Sequence, residues 1–428
     1  MYWQKDLELM PREELERLQL ERLRQSVARA QGSLFYKKAL AGLDPADLTR
    51  REHLAQLPIT DKQDLRDHFP YGMLATPRRQ VVRLHASSGT TGNPTAVLHS
   101  KGDLRSWANL LARGLYMAGV RSGDVLQNLT GYGLFSGGLG MHYGAERLGA
   151  MVIPAGTGNS RRQIALMRSF ATTVIHIIPS YAFRLAAAFG EQGLDPRQDA
   201  SLRIAIIGAE PHTEQARQRI QELFGVKAYN NYGLSELSGP GVAFECPEQN
   251  GLHLWEDAFW LEVVDPLTLE PVAVGQVGEL VLTTLQRRAM PLIRYRTHDL
   301  AAVLPGECAC GRTHARLSRI TGRSDDMFIV KGVNIYPMQV EAVLMASGRV
   351  GNNYLIVVEP GETGARLTVR AELSPAAAGL DQAEQEGLAR TLAGRLRDEI
   401  LVTPRVELLA PGSLPVAQGK AERVNDLR

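Results

Sequence analysis

His85-Ala86-Ser87-Ser88-Gly89-Thr90-Thr91-Gly92-Asn93-Pro94-Thr95 is the stretch around which this chain is organised. It follows Val81-Val82-Arg83-Leu84, which with His85 reads as a short strand. Six residues, Ser87 to Gly92, hold four hydroxyl side chains and two glycines. Glycine lets a backbone turn through positive φ and approach a ligand closely. Successive free N–H groups in such a turn form an anion-binding concavity, and the hydroxyls add donors for phosphate oxygens. The stretch is suited to a polyphosphate, with a flexible polar loop as the plainer reading. It is not a Walker loop, because no Gly-Lys-[Ser/Thr] follows.

Outward from that loop, the chain reads as an α/β protein. Apolar runs at 125–129, 151–154, 174–178 and 204–207 have strand length, and helix-like patterns at 141–149, 160–170, 181–191 and 213–224 lie between them. This alternation predicts a mostly parallel sheet with flanking helices. Residues 11–31, 60–69 and 101–118 read as further helices. From 253 to 304 the texture changes to strands separated by Asp265-Pro266 and Gly275-Gln276 turns, which predicts an antiparallel or barrel-like subdomain. Beyond the polar turn at 322–326 lies a small α+β pattern, so the expected division is a large domain over 1–324 and a small mobile one over 325–428.

A length of 428 residues agrees with more than one domain. With 48 basic and 46 acidic residues the net charge is +2, which gives no basis for a nucleic-acid or anionic-membrane partner. No run of about 18 apolar residues suggests a membrane span. Acidic residues near the start interrupt any signal-peptide core, and the three cysteines do not suggest a disulfide framework, so the expected location is the cytoplasm.

Several constellations have the residue types for chemistry. Tyr232-Gly233-Leu234-Ser235-Glu236 follows a probable strand at 226–230, at the sheet edge where open α/β folds bind ligands. Glu236 suits Mg²⁺ on a nucleotide, with a helix-capping Ser-Glu pair as the alternative. Gly208-Ala209-Glu210-Pro211 follows another strand, and its small residues would admit a flat group. Asp299, in a segment read as preceding a strand, suits the hydroxyls of a ribose or a local pair with Arg294 or Arg296. The 131–138 stretch mixes Tyr132 and Phe135 with glycines and reads either as a pocket wall for an acid's ring or as a turn with Phe135 in the core. Cys246, Cys308 and Cys310 with one histidine, His253 or His314, would complete a tetrahedral zinc site; three reduced structural cysteines are the alternative.

Taken in order, the segments 85–92, 131–140, 142–150, 179–181, 208–211, 232–236, 251–257, 293–297, 321–326 and 419–420 resemble the adenylate-forming superfamily of acyl-CoA synthetases. The chain is most similar to its phenylacetate–CoA ligase branch, from about residue 57 onward. The resemblance implies ATP-dependent activation of a small aromatic carboxylic acid to an acyl-adenylate, then transfer to coenzyme A. It implies that Ser87, Ser88, Gly89, Thr90, Thr91 and Gly92 hold the β- and γ-phosphates, that Glu236 binds Mg²⁺, and that Asp299 takes the ribose. Tyr232, with Asn231, Gly233, Ser235 and residues Gly208, Ala209, Glu210 and Pro211, would lie around the nucleotide. Arg323 would reach toward it, Asp325 would be the hinge, and Lys420 would contact the carboxylate and α-phosphate during adenylation. Tyr132, Phe135 and Gly233 would line the acid pocket. Relatives are commonly homodimers. In some relatives the acceptor is a deazaflavin coenzyme or a carrier protein instead of coenzyme A, and a nucleotide-binding protein without turnover is the reading from outside the enzymes. Three positions depart from the pattern: Asn93 where lysine is common, His212 where tryptophan is usual, and His298 before Asp299.

Overall fold

Short apolar runs buried on both faces build the main sheet. The computed structural model describes residues 1–87, 94–330, 333–360, 365–415 and 423–428. Its first strands are β1 (Val81–Ser87), β2 (Thr95–Ser100), β3 (Val125–Asn128), β4 (Met151–Ile153), β5 (Val174–Ile177), β6 (Ile204–Gly208), β7 (Lys227–Leu234), β8 (Gly239–Glu245) and β9 (Leu252–Leu254). Helices Ser136–Leu148, Ser160–Ser169, Pro179–Glu191 and Glu214–Phe224 alternate with β3 to β7 along the chain. β3 to β7 pair in parallel, and β8 and β9 return antiparallel. β5 and β6 are buried at every position, as the unbroken apolar runs require.

Strands β10 (Phe259–Val264), β11 (Gly278–Thr284) and β12 (Tyr295–Ala301) pair antiparallel in that order. β13 (Val303–Leu304) and β14 (Arg316–Leu317) join the edge of the large sheet, whose order is β13-β14-β9-β8-β7-β6-β5-β3-β4.

The chain divides into two compact units. The first comprises Met1–Ile178, Leu185–Ala209 and Leu223–Arg319; the second comprises Pro179–Arg184, Glu210–Glu222 and Ile320–Arg428. The second unit contains β15 (Gly322–Arg323), β16 (Phe328–Val330), β17 (Val333–Ile335), β18 (Val350–Glu359), β19 (Arg366–Leu373), β20 (Arg405–Leu409) and β21 (Val424–Asp426). Four of them form a mixed sheet in the order β20-β19-β18-β21. Ile335, Val340, Leu344, Ile356, Val369, Leu392 and Leu396 make its core, with helices Pro337–Ala346 and Gln382–Ile400.

Local chemistry explains where elements begin. Ser100 and Asp103 form a reciprocal cap that opens the helix Lys101–Met117, and Asp61 with Asp64 does the same for Lys62–Asp67. Two segments differ from the sequence expectation. The helix expected over 141–149 starts at Ser136, so the glycines at 137, 138 and 140 are helical and not part of a turn. Glycine is a poor helix former, which hid the start. Here close approach requires it: a Cβ on Gly140 would lie 2.2 Å from Trp107, and one on Gly144 would lie 2.4 Å from Leu111. The segment around Asp299 does not precede a strand but lies inside β12. Its inward residues Tyr295, Thr297 and Asp299 alternate with Arg296 and His298, a period-two pattern masked by polar side chains.

Candidate active site

The carboxyl ends of β6 and β7 form one wall of the site. Gly208 ends β6 and pairs in register with Asn231. Ala209 follows at φ 66, a left-handed turn that a non-glycine residue rarely adopts. The Asn231 carboxamide donates to the Ile207 carbonyl at 3.1 Å, so this side chain clamps the two strands together. At Gly233 a Cβ would lie 1.9 Å from the Gly239 carbonyl, so β8 crosses too close for any side chain there.

Asp299 comes to this wall from β12. The Tyr232 hydroxyl donates to Asp299 Oδ2 at 2.7 Å, and the Asp299 N–H donates to Thr297 Oγ1 at 3.0 Å. Both side chains are buried, and the second carboxylate oxygen is suited to accept a hydroxyl.

Glu236 sits in the short 3₁₀ turn Ser235–Leu237 directly after β7. Its buried carboxylate accepts from Thr95 Oγ1 at 3.3 Å and stands 3.9 Å from the Lys62 ammonium. The fully buried Arg287 guanidinium donates to the Glu236 and Leu98 carbonyls, and so ties this turn to β2. Ser235 Oγ lies 2.8 Å from Ser136 Oγ, at the start of the neighbouring helix. Thr95 opens β2 and pairs in register with Ser87, which ends β1. Both roots of the phosphate-type stretch are therefore beside Glu236. Ser88, Gly89, Thr90, Thr91, Gly92 and Asn93 lie outside the described residues, as does Lys420.

Tyr132 is positioned by its hydroxyl. It accepts from Asn128 Nδ2 at 2.8 Å and lies 3.3 Å from His142 Nδ1. Burial pushes its phenol up to about 12, so it remains a neutral donor at any ordinary pH. Phe135, immediately before the helix Ser136–Leu148, is 52% exposed and so is not a core residue.

In the second unit, Glu210 accepts from the Ser180 N–H at 3.0 Å and from Ser180 Oγ at 2.8 Å. Its carboxylate thus caps the start of the helix Pro179–Glu191. Pro211 follows it in the chain. Arg323 forks onto Asp325, with Nε to Oδ1 at 2.8 Å and Nη2 to Oδ2 at 2.9 Å. The two residues expected to serve the nucleotide and the hinge are joined to each other.

Away from this wall, Cys246, His253, Cys308 and Cys310 bring one donor atom each within 4.8 Å of all the others. Cys246 Sγ and Cys308 Sγ are 3.7 Å apart, and Cys310 Sγ is 3.3 Å from His253 Nε2. A tetrahedral zinc ion with Zn–S near 2.3 Å and Zn–N near 2.0 Å separates its donors by about 3.5–3.8 Å. His253 Nδ1 donates to the His314 carbonyl at 3.3 Å, which leaves Nε2 free to face the sulfurs. His314 spends both ring nitrogens elsewhere: Nδ1 accepts from the Glu256 N–H at 2.9 Å and Nε2 donates to the Leu7 carbonyl at 2.9 Å. The geometry therefore separates the two histidines, with His253 in the donor set and His314 behind it. Hydrogen bonds from Cys246, and then from His253, hold the Cys310 thiol well below its usual range, and the same pairing pushes Cys246 up.

Lys62, Thr95 and Arg287 were not singled out in the sequence. Thr95 had a signal, its place at the end of the quoted stretch; Lys62 and Arg287 are brought in only by the tertiary fold.

The chain is similar to known proteins over its whole length. The family model described as AMP-binding enzyme matches residues 27–286, and that of the AMP-binding enzyme C-terminal domain matches residues 332–428. The chain is 47% identical to the phenylacetate-coenzyme A ligase of Thermus thermophilus over 100% of both chains. To the phenylacetate-coenzyme A ligase of Escherichia coli it is 41% identical, over 97% of this chain and 95% of that one. Among solved structures, 2-hydroxyisobutyryl-CoA ligase in its postadenylation state, in complex with R3-HIB-AMP, superposes with a TM-score of 0.93 at 32% identity, covering 100% of this chain and 92% of that one. Among the described residues no helix is long and apolar enough to cross a membrane.

Proposed function

This chain belongs to the AMP-binding enzyme family and is an AMP-forming acid–CoA ligase, and we propose that its acid is phenylacetate or a closely related aryl acid. The observation that carries this reading is the 41–47% identity, over nearly full length, to phenylacetate-coenzyme A ligases. A carboxylate oxygen attacks the α-phosphorus of ATP and pyrophosphate leaves; the thiol of coenzyme A then attacks the acyl carbon and AMP leaves.

The residues follow from their chemistry. Glu236, beside both roots of the 88–93 stretch, holds Mg²⁺ on the phosphates, which neutralises their charge when bound. Asp299, oriented by Tyr232, accepts the ribose hydroxyls. The Gly208–Ala209 turn, where Asn231 packs too closely for a Cβ at Gly208, presents backbone and a small side chain to a flat adenine. Tyr132, kept neutral and fixed by Asn128, lines the acid's ring together with Phe135. Lys420 supports the charge growing on the α-phosphate in the first step only, and the Arg323–Asp325 fork marks the hinge. Cys246, His253, Cys308 and Cys310 hold a structural zinc ion, whose part is to cross-link the chain.

Release of AMP and pyrophosphate with ATP, Mg²⁺ and coenzyme A, over a panel of acids, tests the reading. The panel holds phenylacetate, benzoate, indole-acetate, hydroxybenzoates, 2-hydroxyisobutyrate and medium fatty acids. The highest kcat/KM is expected for phenylacetate or a ring-substituted analogue. A preference for 2-hydroxyisobutyrate or a fatty acid would remove the aryl assignment and leave the ligase chemistry in place.

A further inference from the structure

The loop that carries two of the zinc ligands also anchors Tyr2 and residues 7–10, while Trp3 and Gln4 are held by Asn109 and Arg113 of the helix Lys101–Met117. Residues 305–315 have no helix or strand of their own. Within them, Cys308 and Cys310 point to the donor cluster. The residues from 310 to 314 turn the other way and hold the start of the chain. The Cys310 carbonyl accepts from the Tyr2 hydroxyl at 2.9 Å. Gly311, at φ 79, packs so closely that a Cβ there would lie 2.9 Å from the same hydroxyl. Arg312 donates to Glu8 Oε2 at 2.8 Å and to the Met1 carbonyl at 2.9 Å, and its guanidinium lies 4.8 Å above the Tyr2 ring. Thr313 donates through its N–H to the Glu8 carbonyl at 3.2 Å and through Oγ1 to the Met10 carbonyl at 2.8 Å. His314 donates to the Leu7 carbonyl, while its own carbonyl accepts from the zinc-facing His253.

Glu8 completes the clamp. It is fully buried, and its other oxygen accepts the N–H groups of Trp3 and Gln4, each at 2.7 Å. The cost of burying this carboxylate is offset by Arg312 opposite it together with those two N–H groups. Arg312 in turn follows Cys308 and Cys310, which lie four and two residues before it on the loop. An irregular loop of this length loses backbone entropy on ordering. Arg316 donates to the Pro305, Gly306 and Glu307 carbonyls at its start, and a metal bound at the four-donor cluster would add its binding free energy to that order.

We propose that the metal centre is a docking clamp for the first ten residues: zinc orders the 305–315 loop, and the ordered loop holds residues 1–10 on the first unit. This rests on the reading of Cys246, His253, Cys308 and Cys310 as a zinc site. The helix Arg12–Ala30 is held separately. Arg12 pairs with Glu256 at 2.8 Å, and Gln19 donates to the Glu256 carbonyl at 2.9 Å. Arg22 donates to Asp257, which also accepts from the buried Arg113 at 2.6 Å. Loss of the metal should therefore loosen residues 1–10, leaving them only the holds of Trp3 and Gln4 on Asn109 and Arg113, and leave that helix docked.

Metal content and amide hydrogen exchange, measured on the full chain, test the proposal. Elemental analysis is expected to find about one zinc per chain in the purified protein, a stoichiometry that a closed four-ligand site dictates. Stripping it with a chelator is expected to speed exchange of peptides within 1–10 by about tenfold or more, since several buried hydrogen bonds open together. Exchange within 15–30 should stay the same, and zinc added back should restore protection. Arg312→Ala is expected to free residues 1–10 while keeping the zinc. Cys308→Ser should lose both, and chelation of the unaltered chain covers the case in which that variant does not fold. Absence of bound zinc would remove the metal site. Bound zinc whose removal leaves exchange of 1–10 unchanged would keep the site and overturn the clamp. Neither outcome bears on ligase activity, which the acid panel reads separately.

Discussion

The Tyr232 hydroxyl donates to Asp299 Oδ2 at 2.7 Å, and so joins the end of β7 to the interior of β12. The bond fixes the direction of the carboxylate proposed to take the ribose. A hydrogen bond to a charged group contributes about 1.5–3 kcal/mol. Tyr232→Phe is therefore expected to raise KM for ATP about tenfold or more, with KM for the acid nearly unchanged. Asp299→Ala should have the larger effect on the same constant. Steady-state kinetics with each substrate varied in turn checks this. An increase confined to the acid's KM would place Tyr232 in the acid pocket instead.

Glu236 has Thr95 on one side and the Lys62 ammonium 3.9 Å away on another. Asn93 deprives the phosphate-type stretch of a side-chain cation, and Lys62 is a described cation next to its root. With Mg²⁺ bound at Glu236, Lys62 is free to turn to a phosphate oxygen. Glu236→Gln is expected to raise the Mg²⁺ concentration for half-maximal pyrophosphate release about tenfold or more, because Mg²⁺ sites rest on only one or two carboxylates. Lys62→Met should raise KM for ATP several-fold and leave the Mg²⁺ requirement unchanged. A Mg²⁺ titration at several ATP concentrations separates the two.

Much of the α/β core can be read from the chain, because strands buried on both faces leave uninterrupted apolar runs such as 174–177 and 204–207. Gly208 and Glu236 stand out because they occupy a strand end and the turn just after a strand, whereas Asp299 lies inside β12, where its polar neighbours hid the strand. What could not be read depends on partners far away in sequence. Glycines at 137, 138 and 140 look like a turn until Trp107 is known to press on Gly140 and the Gly131 carbonyl on Gly138. Glu210 gives no local sign that its carboxylate is bonded to Ser180, thirty positions earlier. His253 and His314 are equivalent by composition, and only the cross-strand bonds separate them. Lys62 reaches Glu236 across 174 residues, and no local pattern announces that.

Lys420 carries the clearest separation of the two half-reactions. Its role follows from the resemblance of the Gly419-Lys420 segment and from the charge that develops on the α-phosphate. Lys420→Ala is expected to slow pyrophosphate release by about 10²–10³-fold, the usual loss for a preorganised group that stabilises a transition state. Thioester formation from supplied acyl-adenylate and coenzyme A should stay within a few-fold of the unaltered protein. Equal loss in both assays would show that Lys420 serves both steps, against a hinge that presents it in one.

His176 lies in β5, fully enclosed, with Nδ1 2.9 Å from Asn128 Oδ1 and 3.3 Å from Thr130 Oγ1. Burial lowers its pKa to about 3, so the folded chain keeps it neutral where the unfolded chain protonates it near 6.5. The sign follows from proton counts: below pH 6.5 the unfolded state binds the extra proton, so stability is full above that pH and falls as pH drops toward 3. The slope from one such group approaches about 1.4 kcal/mol per pH unit. His85, His99 and His314 are lowered by burial too and add to the same trend. His176→Gln keeps a polar side chain near Asn128 and removes the titration. Its unfolding midpoint in urea should therefore be lower than that of the unaltered protein at pH 7.5, and the difference should shrink between pH 6.5 and 4.5. Because Asn128 also positions Tyr132, the same variant should raise KM for the acid several-fold at pH 7.5. Parallel midpoints at all pH values would mean that His176 does not contribute to acid sensitivity.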